Sequence, residues 1–251
     1  MAEFNQDRFQ ARSGAQGAVA VDQGLRSYML SVYNYMAVGL ALTGLVAWAT
    51  FQAAVVATPE GLALTGFGNA IYASPLKWVV MLAPLAMVFF LSFRVSKMSL
   101  SAAQISFWAF AGLMGLSLSS IFLVYTGVSI TRVFFITAAS FGALSLYGYT
   151  TKRDLSGFGS FLMMGLFGII IASLVNLFLH STMMQFVISI IGVLVFAGLT
   201  AYDTQRIKEM YWVGDAAAAA GKKAIMGALS LYLNFINMFL MLLQLFGNQR
   251  N

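Results

Sequence analysis

The chain has 251 residues, of which 60% are hydrophobic and 9% charged, with a formal net charge of +6 and no cysteine. Soluble proteins carry about 25% charged residues, so this composition excludes a soluble globular domain. The missing cysteines exclude disulfides, thiolate metal sites and cysteine nucleophiles.

Residues 1–27 are polar, carry Arg8, Arg12 and Arg26, and lack the apolar core and small-residue cleavage site of a signal peptide. They read as a retained cytoplasmic tail. Seven apolar runs follow, at 28–53, 77–93, 102–124, 133–149, 158–179, 184–202 and 224–247. Each is near or above the roughly 17 residues that span a bilayer as a helix. The expected architecture is therefore all-α: a polytopic membrane protein with a seven-helix transmembrane domain over 28–247 and a C-terminal tail at 248–251. The first loop, 54–76, is weakly apolar and is expected to lie partly in the membrane interface. Gly39 and Gly44, Gly112 and Gly115, and Gly165 and Gly168 predict close helix packing, because small residues let backbones approach in lipid. Pro84 predicts a kink in the second span. The loop at 204–223 begins as a continuation of its helix, and its alanine run "GDAAAAAGKK" can extend the next one.

Charge sets the expected orientation. Of the fourteen Lys and Arg, eleven fall on one side: Arg8, Arg12, Arg26, Arg94, Lys97, Lys152, Arg153, Arg206, Lys208, Lys222 and Lys223. Lys77, Arg132 and Arg250 fall on the other. The positive-inside rule then puts the N-terminus in the cytoplasm and the C-terminus outside, in a cell (inner) membrane. The basic charge is a topology signal, not a nucleic-acid footprint, and no nucleic-acid partner is expected.

Polar residues inside the spans carry the candidate chemistry. In the last span Ser230, Asn234, Asn237, Met241, Gln244 and Asn248 recur every three or four residues, on one helical face. That face must point into the bundle or a water-filled cavity. It reads either as helix–helix hydrogen bonding, at about 0.6–2 kcal/mol per contact, or as the lining of a polar pathway. The fifth span repeats the pattern more weakly with Ser173, Asn176 and His180. A single histidine without a second ligand supports no metal site.

Asp203, at the end of the sixth span in "GLTAYDTQRIKEM", poses the sharpest question. A carboxylate at the centre of a membrane helix costs about 2.5–3.5 kcal/mol, and less toward the ends. Either Asp203 is the first wet residue of its helix or it has a partner. Arg94, ending the second span, reads either as a snorkelling anchor or as that partner in an ion pair closing a cytoplasmic mouth. Enzymatic readings lack parts: "AYDT" suits an intramembrane aspartyl protease, but no second span carries an acid to share a proton. The last span has no lysine for a retinal Schiff base. No enzyme and no cofactor are expected.

The segments "YTGVSITRVFFITAASFGALSLYGYTTKRDLS", "AYDTQRIKE" and "GALSLYLNFINMF" resemble bacterial members of the Bax inhibitor-1 family, the transmembrane Bax-inhibitor-motif proteins. The likeness runs from about residue 25 to 247. It implies seven helices with the last in the centre of the other six, and a calcium leak that responds to pH. It also implies a sensor of two aspartates sharing a proton, on the sixth and seventh helices, with an arginine that latches onto the first. Carried over by motif, the first is Asp203 and the arginine Arg94. The second aspartate falls at Asn234, so the pair is broken; an amide there resembles a carboxyl held neutral. Asn234 can donate to Asp203 or offer a carbonyl oxygen to a hard cation. The reading is thus a calcium leak channel with altered pH sensing, gated by Asp203, Asn234 and Arg94 and lined by Ser230, Asn237 and Asn176. Two other readings stay open. One is a non-conducting regulator that binds membrane proteins such as a membrane-anchored protease, with Phe4 and Phe9 of the tail as its recognition segment. The other is a proton-coupled cation exchanger.

Reporters fused within 204–223 and at the C-terminus should therefore lie on opposite sides of the membrane. Both on one side would remove the seven-span reading.

Overall fold

The computed structural model describes residues 2–59 and 61–250, with the side chains of 2–22 outside the description; the segment around Phe4 and Phe9 falls there. Seven long helices carry the fold. They are α1 (Ala2–Ala54), α2 (Leu76–Arg94), α3 (Leu100–Leu118, carried on by Ile121–Val124), α4 (Gly127–Thr150), α5 (Ser156–Leu179), α6 (Thr182–Glu209) and α7 (Ala217–Phe246). All seven contain a stretch long and apolar enough to cross a membrane. The helical form follows from the solvent: hydrocarbon offers no hydrogen bonds, so a span must satisfy its backbone internally.

The ends show where polar residues outvote hydropathy. α4 starts six residues before its apolar run, because Thr126 caps it by accepting from the Ser129 amide at 3.4 Å. Ser99 and Ser181 cap α3 and α6 in the same way. The alanine run opens α7, whose first residue is Ala217. At the start of α5, Asp154 accepts from the Ser156 amide at 2.8 Å. Hydrogen bonding from the Ser156 hydroxyl, and then from its amide, holds the Asp154 carboxyl below the usual carboxylate range.

α7 is the axis of the bundle. In its membrane window 67% of residues are buried, against 11% for α2 and for α5. It packs on α1, α3, α4 and α6, whereas α2 packs chiefly on α3 and α5 chiefly on α6. The centre is aromatic: Tyr232 of α7 meets Phe107 and Phe110 of α3 edge-on. The Tyr232 hydroxyl lies 2.7 Å from that of Thr43, which donates to the Ala111 carbonyl at 2.9 Å. One phenol thus ties α7, α1 and α3 together while its own polar atom is satisfied.

One glycine of each expected pair sits at a helix contact. Gly39 faces Phe107, Gly115 faces the Thr43 carbonyl and Val46, and Gly165 faces Val195, while Gly44, Gly112 and Gly168 face open space. Among the glycines of the spans, the one closest to the backbone of another span is Gly148 of α4, which lies against Ala201 in α6. Pro84 is buried inside α2 and withholds the amide that would bond the carbonyl of Val80.

The first loop, expected to lie partly in the membrane interface, has regular structure of its own. It forms a hairpin of β1 (Val55–Thr58) and β2 (Gly61–Leu64), then a short helical segment through Ala73. Gly61 takes φ 127°, open to glycine alone at low cost. The Thr65 hydroxyl and amide donate to the Ala53 and Ala54 carbonyls, both at 2.9 Å. The hairpin therefore satisfies carbonyls left over at the end of α1.

Gly148→Ala should lower stability by about 1–3 kcal/mol, since the new methyl meets backbone that cannot rotate away. Gly168→Ala should be nearly neutral. Thermal unfolding of the two variants in detergent micelles checks the difference; equal midpoints would contradict it.

Candidate functional site

The segment Tyr202–Asp203–Thr204–Gln205 lies in the C-terminal third of α6. Successive residues of a helix turn by about 100°, so these four side chains meet four different neighbours. The Tyr202 ring covers Gly159 of α5. Thr204 lies 3.0 Å from Ser145 of α4, whose hydroxyl also meets Tyr33 of α1 at 2.7 Å. Gln205 accepts from the Leu155 amide at 2.9 Å and donates to the Arg153 carbonyl at 2.8 Å, clasping the α4–α5 turn. Asp203 turns to the central helix, where the Asn234 amide Nδ2 donates to its Oδ2 at 2.7 Å.

Asp203 is therefore not the first wet residue of its helix. It is 9% exposed and Asn234 is 6% exposed. Burying a carboxyl without a partner costs several kcal/mol, and the amide supplies one. The position at which the resemblance puts the second acid, Asn234 of α7, is the one that touches Asp203.

The Arg94–Asp203 ion pair is not formed. Arg94 is exposed at the last turn of α2, a helix that packs on α3 rather than on α6. There it sits in the last turn of the helix, at the negative end of the helix dipole, a favourable site for a cation. Among the described residues the one ion pair joins Lys223 to Asp215 at 2.6 Å. The cation bordering the same cavity as Asp203 is Arg206, one turn along α6. Composition did not single it out, because Arg206 also reads as one of four basic residues in its loop.

Two cavities follow the polar face of α7. The larger, about 790 Å³, is bounded by α2, α3, α5, α6 and α7, and Asp203, Ser230, Asn234 and Asn237 supply most of its polar lining. The second, about 570 Å³, lies toward the other end and is lined by Asn176, His180, Gln185 and Gln244 among others. Ser173, Leu177 and Met241 border both. Met241 also packs on Gly192, where a methyl would meet its Cγ at 2.9 Å. The stripe read from the sequence thus runs from one cavity to the other, with a thioether at the junction. Gln244 accepts from Ser189 at 2.7 Å. Asn248 lies beyond the end of α7, where its amide donates to Ser129 at 2.9 Å and pins the tail to the start of α4.

His180 closes α5 in a left-handed conformation, φ 50°, with its amide donating to the Asn176 carbonyl at 2.8 Å. The Asn176 side chain accepts from the Ser181 amide at 3.0 Å. The Tyr125 phenol, also at this cavity, is pushed above its ordinary pKa by burial. Among the described residues no group of three or more His, Asp or Glu side chains could hold a metal ion.

A seven-helix membrane bundle wound around a polar central helix, with one buried carboxyl held by that helix, defines the class. The chain matches the family described as "Inhibitor of apoptosis-promoting Bax1" over residues 25–251, and it belongs to the Bax inhibitor-1 family. It is 49% identical over 229 residues to the inner membrane protein YbhL of Escherichia coli K12, covering 90% of this chain and 94% of that one. An uncharacterized protein of Rickettsia prowazekii is 50% identical over 230 residues, 92% of this chain and 93% of its own. Another from Caulobacter vibrioides is 44% identical over 251 residues and covers both chains fully. The protein is a multi-pass membrane protein in contact with the bilayer.

Asp203→Ala, Asn234→Ala and the double variant form a thermodynamic cycle. The bond predicts a coupling of about 1–3 kcal/mol, the range for a hydrogen bond to a buried carboxyl. Additive losses in detergent unfolding would mean that the two side chains do not interact.

Proposed function

We propose that the protein is a calcium leak channel rather than an enzyme, with Asp203 and Asn234 as its gate, the basic end of the bundle facing the cytoplasm and the C-terminus outside. The buried 2.7 Å bond between α6 and α7 at one end of the larger cavity carries this reading. An ion moving along α7 passes amide and hydroxyl oxygens at Asn176, Gln185, Ser230 and Asn237. It then meets a carboxyl already engaged by an amide. Carboxylate, carbonyl and water oxygens are the ligands a hard divalent cation prefers, so entry of calcium competes with Asn234 for the same oxygen. While the bond is made, α6 and α7 are held together; when calcium or a proton takes the Asp203 oxygen, the bond is released.

The broken aspartate pair shapes the pH response. With an amide at 234, one group titrates where a pair would share a proton. Asn234→Asp puts two carboxyls at hydrogen-bonding distance, and such pairs hold a single proton across a wide pH range.

Calcium uptake into liposomes tests the proposal. The native chain should exceed protein-free liposomes, and Asp203→Ala should change the rate several-fold. Asn234→Asp should depend on pH more steeply than the native chain between about 5.5 and 8, as a shared-proton site does. Uptake equal to that of empty liposomes in every variant would overturn the leak. Superimposable pH profiles would overturn the sensor.

A further inference from the structure

The larger cavity is not closed by protein on every side. Its inner wall is the central helix, at Ser230, Leu233, Asn234 and Asn237, and its flanks are α2 and α5. Those two helices pack chiefly on α3 and α6, respectively, and at most marginally on one another. At the flanks the lining residues Met81, Leu85, Ile170 and Leu174 are each about half exposed. They continue directly into the exposed apolar outer faces of α2 and α5, such as Phe89 and Phe167. The cavity is therefore a cleft in the membrane-facing surface, with the axis of the bundle at its floor.

Water is a poor occupant of such a space. An ordered water needs two to four polar partners, and apolar constrictions in membranes lose their water. At the basic end one hydrogen bond joins the Asn234 amide to Asp203. Between there and Ser173 the walls are mostly Leu, Ile, Met and Phe. A volume of about 790 Å³ lies in the range of sites that bury a whole small molecule. One feature adds a charge: Arg206 is exposed and borders the cleft at its basic end, near the level expected for lipid phosphates. The neighbouring acid, Asp203, is buried and engaged by Asn234, so the guanidinium is the outward-facing charge.

We propose that the cleft between α2 and α5 is a phospholipid site: one acyl chain enters laterally and lies against α7, and the phosphate of the same lipid pairs with Arg206. The apolar walls, their continuity with the lipid-facing surface and the cation at the headgroup end all select an amphiphile from the surrounding leaflet. This goes beyond the leak reading and holds whether or not ions cross. Only its consequence rests on that reading: a chain in the cleft occupies the space an ion would use, so the lipid-filled state is the shut one.

The test uses a tryptophan on the cleft floor. Trp48, Trp78, Trp108 and Trp212 are replaced by Phe, and Leu233→Trp is introduced; Met114→Trp, on the α3 wall, serves as a second reporter should the first fail to fold. Phe110→Trp, fully buried among α3 and α7 aromatics, is the control. In bilayers of phosphatidylglycerol brominated at mid-chain, the cleft reporters should lose most of their emission and the control little. Acrylamide should leave the cleft reporters bright. Quenching by acrylamide instead would show a water-filled cleft and overturn the proposal, and resistance to both quenchers would show a protein partner or second copy there and overturn it equally. In mixed bilayers with a low fraction of brominated lipid, Arg206→Gln should reduce the quenching and Arg206→Lys retain it. No change with Arg206→Gln would overturn the phosphate contact. Each readout is independent of calcium flux, so failure of the lipid site and failure of the leak are distinguishable.

Discussion

A carboxyl group buried among membrane helices needs a hydrogen-bond donor, and in this protein one amide supplies it. The 2.7 Å bond from Asn234 to Asp203 joins the sixth helix to the central one. The other residues of the same turn keep that geometry. Thr204 sets the distance to α4 through Ser145. Gln205 holds the α4–α5 turn, and Lys208 donates to the Tyr149 carbonyl at 2.8 Å. Gly148 lets the α4 and α6 backbones meet closely enough for those bonds to form. The cost of an unsatisfied carboxyl, several kcal/mol in a setting without water, makes this cluster one cooperative unit.

The central helix owes its position to two opposed faces. Tyr232, Phe235, Met238 and Leu243 bury one side almost completely. The other side, with Ser230, Asn234 and Asn237, cannot face hydrocarbon cheaply. A helix that is apolar on one side and polar on the other, both requiring protein or a cavity, is driven to the middle. α2 and α5 carry no such demand and remain on the rim, more exposed to the bilayer than any other span. The two cavities on the polar side of α7 are what remains when rim helices lean on their neighbours and not on the axis.

Much of this was legible in the chain. The length of the apolar runs places all seven spans, and the stripe from Ser230 to Gln244 marks the face that borders the cavities. The likeness to the Bax inhibitor-1 family put Asn234 opposite Asp203, which hydropathy alone could not. The missed features have physical reasons. The hairpin at Val55–Leu64 is hard to read because a short weakly apolar stretch next to a span looks interfacial, although the β-branched residues of Val-Val-Ala-Thr, followed by Pro59 and Gly61, mark it. The glycines at 44, 112 and 168 were grouped with real contacts because spacing does not reveal which side of a helix meets a neighbour. Arg94 reads as the latch from its position at a helix end and from the family resemblance. Whether it can reach Asp203 depends on how α2 leans, which no pattern of residues encodes. Gln205, whose two bonds hold a turn fifty residues away, gave no signal beyond being polar.

The most direct test of this account is a side-chain distance measured in a lipid bilayer. Solid-state NMR recoupling between the aspartate carboxyl carbons and the asparagine side-chain nitrogens, with the signal assigned by its loss in Asp203→Ala, reads the contact itself. The account predicts a short carbon–nitrogen contact between Asp203 and Asn234, of hydrogen-bond length. A contact from the Asp203 carboxyl to the guanidinium nitrogens of Arg94 with none to Asn234 would contradict it.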